Sequence, residues 1–262
     1  MTSKISTELD TEPLHAAESF LKEIPKTDLH VHLDGSIRLS TLIDLAKIHG
    51  VKLPSYDEKQ LRSTVFKKSY TSLEEYLEGF KYTTSVMQTA SACERVAFEF
   101  AEDMYLENVR YFEVRFAPQL HCSIDPKDNF GIRQVLQAVN KGLKRAKDKF
   151  NASLKADQAS GKRVDEPYYE YGIIVCAMRK FFKGMSRFYD GLFSLHPDES
   201  ADEITSMASV ILVQATAKAR DVDGIPLAGV DIAGAERGNE ASVHEKAFDL
   251  AHSLFMHKVR PV

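Results

Sequence analysis

The 262-residue sequence has three cysteines, Cys93, Cys122 and Cys176, an odd number at wide spacings with no Cys-x-x-Cys pair. That pattern excludes a disulfide framework and a cysteine-ligated zinc site. No uninterrupted apolar stretch approaches the roughly 20 residues that a bilayer-spanning helix needs. Residues 1–12 are polar and acidic, without the basic start and apolar run of a secretory signal. Positive charge is not in excess either: the formal net charge is −4, which argues against general affinity for nucleic acid backbones or anionic membranes. No Gly-x-Gly-x-x-Gly follows a strand pattern, so a dinucleotide-binding fold has no support. Internal repeats and linkers rich in Gly, Pro or Ser are missing as well. These absences leave a cytoplasmic protein with a small-molecule partner, no nucleic acid and no membrane.

What is present is ordinary for a soluble globular chain, with 44% apolar and 27% charged residues, and the length suits one large α/β domain or two small ones. One stretch stands out, residues 25–36, Pro-Lys-Thr-Asp-Leu-His-Val-His-Leu-Asp-Gly-Ser. Its centre alternates, and successive side chains of a strand point to opposite faces, so His30, His32 and Asp34 share one face. Burying such a trio costs several kcal/mol unless it is compensated, and a divalent cation that takes the two imidazole nitrogens compensates it. The competing account is a pair of surface histidines on an edge strand.

Along the chain, strand patterns at about 26–33, 109–117, 169–178 and 227–232 alternate with helical patterns. A short helix is expected at 13–23. Ser40 and Gly50 bracket a helix, with His49 at its end, and Ser72 caps another, with Glu75 at the capping-box position and an apolar stripe of Leu73, Tyr76, Leu77 and Phe80. Longer helices follow at about 92–107, 130–155 and 200–220, and a last one at 241–257 carries Val243, Ala247, Leu250, Ala251 and Leu254 inward. Cys93 falls among the core positions of its helix. Glu113 and Arg115 are expected to form a structural ion pair, the lysines and arginines of 141–149 a solvated face, and the aromatic segment 181–197 a cover over a pocket. Residues 259–262 read as the opening of a further strand. Strands alternating with crossover helices make a parallel sheet covered by helices.

Residues 27–35, Thr-Asp-Leu-His-Val-His-Leu-Asp-Gly, resemble the opening signature of the adenosine deaminase family within the amidohydrolase superfamily. Three further stretches are similar in order: Val114-Arg115-Phe116-Ala117-Pro118, Val175-Cys176-Ala177-Met178-Arg179, and residues 229–236, Gly-Val-Asp-Ile-Ala-Gly-Ala-Glu. The resemblance implies a (β/α)8 TIM barrel, incomplete here at about four to five strand-helix units, with residues 1–24 as an N-terminal extension and 25–262 as the N-terminal part of one barrel domain. It implies one zinc ion at the C-terminal ends of the strands, with His30 and His32 as metal ligands. His32, Asp34 and Gly234 become substrate-binding residues, Asp34 toward the ribose and the Gly234 backbone toward the purine. The implied reaction is zinc-dependent hydrolytic deamination of adenosine or deoxyadenosine with release of ammonia. It differs from that of the cysteine-ligated nucleobase deaminases, whose signature is absent.

The sequence departs from the family pattern in three ways, the slightest being Lys180 after Met178-Arg179, where a histidine is common. Ala235 stands where many members carry an acid. The His-Ala-Gly-Glu stretch that supplies a further zinc ligand and the general acid/base glutamate does not occur, so no catalytic residue is expected within the chain, and the glutamate is expected beyond Val262. The resemblance thus implies an N-terminal portion of a longer protein, lacking roughly 80–120 residues at about 30 per strand-helix unit, and inactive by itself. Two alternatives stay open: deamination of adenine or a modified adenosine, and a non-catalytic purine-binding chain. His121, His196, His244, His252 and His257 are the remaining candidates for a ligand.

Overall fold

The computed structural model describes residues 12–122 and 129–259. Helix α1 (Glu12–Glu23) leads into strand β1 (Lys26–His32), followed by α2 (Leu39–His49), α3 (Glu58–Thr64), α4 (Leu73–Val86) and α5 (Ala90–Leu106). Then come β2 (Val109–Phe116), α6 (Ile132–Ala159), β3 (Glu170–Met178), α7 (Arg187–Leu195), α8 (Ala201–Asp223), β4 (Leu227–Ala233) and α9 (Glu245–Ser253). The four strands are parallel and lie in sequence order, β1-β2-β3-β4. Each crossover carries helices that cover one face, and this is the wall of an incomplete (β/α)8 barrel. Past β4 a parallel bridge joins Val230 to Lys258, just ahead of the stretch 259–262 expected to open the next strand; residues 260–262 of that expectation lie outside the described residues, as do 1–11.

The core lies between sheet and helices. Phe112 of β2 is fully buried and meets Phe100 of α5 edge-on at 5.2 Å and Tyr171 of β3 in a stack at 5.9 Å. Burying one such side chain contributes about 1.5–3 kcal/mol. Helices α5 and α6 touch so closely at Gly142 that a Cβ there would collide with the Glu94 carbonyl and come within 2.9 Å of the Ala97 Cβ. Cys93 is fully buried among these residues, as its helical spacing predicts.

Helix ends follow local chemistry. Gly50 closes α2 in the left-handed conformation (φ 68°), and the Ser72 side chain accepts from the Glu75 N–H. Ser40, however, is not a cap: the cap is Arg38, two residues earlier, whose guanidinium is held by Asp103 of α5. The expected last helix is broken into a 3-10 turn (Ala241–His244) and α9, because the buried His244 ring, 2.7 Å from the Ser209 hydroxyl of α8, anchors the turn. His244 is thus fully buried against α8. The Glu113–Arg115 pair is not formed. Glu113 accepts from the Tyr111 hydroxyl at 2.9 Å, while Arg115 reaches Asp231 of β4 at 2.5 Å.

Candidate active site

A cavity of about 800 Å³ opens at the C-terminal ends of the strands, the end at which barrels of this kind carry their chemistry. His30, His32, Asp34 and Gly234, singled out from the sequence, all line it. None of His121, His196, His244, His252 and His257 does.

Strand β1 delivers the two imidazoles. Its pairing with β2 slips between Asp28 and Val31, the signature of a bulge, which takes the Leu29 carbonyl out of the regular ladder. Arg115, 1% exposed, satisfies that carbonyl at 2.8 Å and Asp231 with its other terminal nitrogen. A buried guanidinium thus ties the backbone just before His30 to β4 across the barrel interior. The imidazole centroids of His30 and His32 lie 5.8 Å apart, and Phe80 of α4 meets His32 edge-on at 6.3 Å. Burial, and after it the nearby positive charge of Arg115, lower the His32 pKa to about 4, so the ring is neutral at physiological pH and keeps a lone pair for a ligand.

Asp34 follows at the turn after β1 and is 4% exposed. Burial raises its carboxyl to about 7, against the lowering effect of the Asp34 and Gly35 backbone N–H groups. Its Oδ1 has no hydrogen-bond partner and lies 3.9 Å from the His32 Nδ1. An orphaned buried acceptor beside a cavity is a binding position for a donor.

Across the cavity, Gly234 follows β4 with φ 106°, a conformation that disfavours any residue with a Cβ. Its loop is braced by Arg179, which donates to the Asn239 carbonyl and to Glu236, both at 3.0 Å. Cys176 of β3 also lines the cavity, and its burial raises the thiol well above its ordinary value, so it is an inert wall.

Helix α4 supplies a side wall through the apolar stripe that its spacing predicts. Leu73 and Tyr76 are 52% and 43% exposed and, with Leu77 and Phe80, line the cavity. The face that packs inward carries Gly79, Thr83 and Val86. Phe182 and Met185, from the aromatic segment expected to cover a pocket, line the cavity as well.

His30 and His32 offer two nitrogen donors at one strand end. Among the described residues no group of three or more His, Cys, Asp or Glu side chains is arranged to hold a metal. The donor chemistry suits zinc, and it supplies half of a tetrahedral set.

A profile of the adenosine deaminase family matches residues 25–180. The chain is 49% identical over 125 residues to the adenosine deaminase of Shewanella halifaxensis, a match that covers 47% of the chain and 37% of that relative. Among solved structures it superposes on the Arabidopsis ADAL protein complexed with GMP with a TM-score of 0.64 at 21% identity, covering 92% of the chain and 59% of that protein. It also superposes on a zinc-bound amidohydrolase of Burkholderia ambifaria with a TM-score of 0.65 at 18% identity, covering 94% of the chain and 54% of that protein. These two likenesses show the shared barrel fold.

Proposed function

The chain belongs to the adenosine deaminase family, and from that premise we propose that its cavity takes a purine nucleoside for zinc-dependent hydrolytic deamination at C6, with release of ammonia. The carrying observation is the convergence of His30, His32, Asp34 and Gly234, from the two outer strands of the sheet, on one cavity.

In this reading His30 and His32 hold the metal, and His32 keeps its lone pair because burial and Arg115 disfavour its protonation. Zinc, when bound in such a site, supplies Lewis acidity and a nucleophile at neutral pH. Asp34 takes a sugar hydroxyl as donor onto its unpartnered oxygen. Gly234 brings the backbone up to the purine ring with no Cβ in the way. The apolar wall of α4 excludes water from one side of the ligand.

The remaining acids at the cavity are already engaged, Asp231 by Arg115 and Glu236 by Arg179. No free general acid other than Asp34 therefore faces the site among the described residues. This favours a second reading, a chain that binds the purine without turning it over.

Incubation of the zinc-loaded chain with adenosine, deoxyadenosine and adenine, followed by ammonia and by the ultraviolet change on deamination, separates these readings. Binding of adenosine with ammonia release supports the deaminase, binding without it supports the second reading, and preference for the free base removes the sugar role of Asp34. Absence of purine binding contradicts both.

A further inference from the structure

The charged groups around the cavity do not cancel. Asp231 is neutralised by Arg115 at 2.5 Å and Glu236 by Arg179 at 3.0 Å. Lys81 of α4 and Lys183 of the β3–α7 loop also line the cavity. Both are exposed, and neither has an ion-pair partner among the described residues. Two unengaged ammonium groups thus stand at the rim of a largely apolar pocket.

Both lysines sit on well-anchored backbone. Lys81 follows Phe80, whose ring would touch a Cβ at Gly35 at 3.3 Å and packs edge-on against His32, so it contacts the chain two residues before Asp34 and one after it. Lys183 lies between Phe181, stacked on Tyr189 at 3.7 Å, and Gly184, whose N–H donates to Asp190 at 2.6 Å. Two hydroxyls beside Lys81 are already used: Thr84 Oγ1 donates to the Phe80 carbonyl at 2.6 Å, and Ser85 Oγ to that of Lys81. The lysines are the cations at this rim with no carboxylate partner among the described residues, and a flexible ammonium with three donors suits a phosphate dianion. The cavity, at about 800 Å³, stands in the upper part of the roughly 300–1,000 Å³ typical of small-molecule sites and leaves room beyond a nucleoside.

We propose that Lys81 and Lys183 form a phosphate subsite at the cavity rim and that the preferred ligand is a purine nucleoside 5′-monophosphate rather than the free nucleoside. This rests on the purine reading of the cavity and makes it more specific. Asp34, Phe80 and Lys81 line the same cavity, so a sugar held at Asp34 shares it with the Lys81 ammonium. Both ammonium groups are solvated, so the gain is moderate and sensitive to salt.

Calorimetric titration of the chain with adenosine, adenosine 5′-monophosphate and inorganic phosphate, at low and high salt, tests the assignment. The monophosphate binds about tenfold more tightly than adenosine at low salt. The ratio shrinks at high salt and falls to near one in the Lys81→Ala/Lys183→Ala double variant, whereas Lys81→Arg keeps most of it. Adenosine binding as tightly as the monophosphate overturns the subsite and leaves the purine reading standing. A preference that survives loss of both lysines overturns it too. Inorganic phosphate binding as tightly as the monophosphate reduces the rim to a plain anion site and overturns the nucleotide assignment. If neither purine ligand binds, the purine reading fails together with the subsite.

Discussion

Arg115 of β2 and Asp231 of β4 meet at 2.5 Å in the interior of the sheet's arc, with 1% and 3% of their surfaces exposed. The pair spans β3, and its second arm holds the Leu29 carbonyl that the β1 bulge frees. Removing one partner strands the other as a buried charge, which costs about 3–5 kcal/mol. Asp231→Leu should therefore lower the free energy of unfolding by that amount in urea titration. The Arg115→Met/Asp231→Leu double variant should recover part of the loss, because two apolar side chains leave no charge behind while the Leu29 carbonyl loses its donor.

His121 and His244 give the fold an acid limit. Burial lowers both rings to about 4, whereas in the unfolded chain they titrate near 6.5. Below about pH 6.5 the unfolded chain takes up protons that the folded chain refuses, so stability is whole above that pH and is lost as pH falls toward 4. Each ring contributes at most about 1.4 kcal/mol per pH unit. Urea unfolding of His121→Phe, at a site flanked by Phe116 at 5.9 Å, should show a shallower decline between pH 6.5 and 4.5.

Gly142 sets the spacing between α5 and α6. Because its missing Cβ leaves room for the Glu94 carbonyl, Gly142→Ala forces the helices apart, and overpacking of this kind costs about 1–3 kcal/mol. Thermal unfolding should show the loss, and Gly142→Val should unfold earlier still.

Gly234→Ala tests the ligand-facing backbone. The φ of 106° disfavours alanine, yet its Cβ would meet only ordinary contacts at 3.7 Å with Arg179 and Met178. The variant should fold with a stability loss of about 1–3 kcal/mol and bind purine more weakly, as read by calorimetry.

Much of this was legible in the sequence because it is local. The alternation of strand and helix patterns gave the parallel sheet, Gly50 and Ser72 end their helices as their residue types dictate, and the His-x-His spacing placed both rings in one cavity despite the bulge. Long-range pairing was not legible. Arg115 and Asp231 lie 116 positions apart, whereas Glu113, two residues from Arg115, looked the nearer partner. The apolar stripe of α4 has the same periodicity whether it faces a core or a cavity, so only the packing of Gly79, Thr83 and Val86 on the opposite face reveals which it is. His244 sits in an irregular turn, where helical phase cannot predict burial.

The account depends on His30 and His32 acting together as a metal-binding pair in a purine cavity. Crystals of the chain grown with zinc and adenosine, with anomalous diffraction recorded at the zinc edge, test this most directly. The account predicts an anomalous peak within bonding distance of nitrogens on both rings, with the purine against Gly234 and the sugar at Asp34. A peak away from those rings, or purine density outside the cavity, would contradict it.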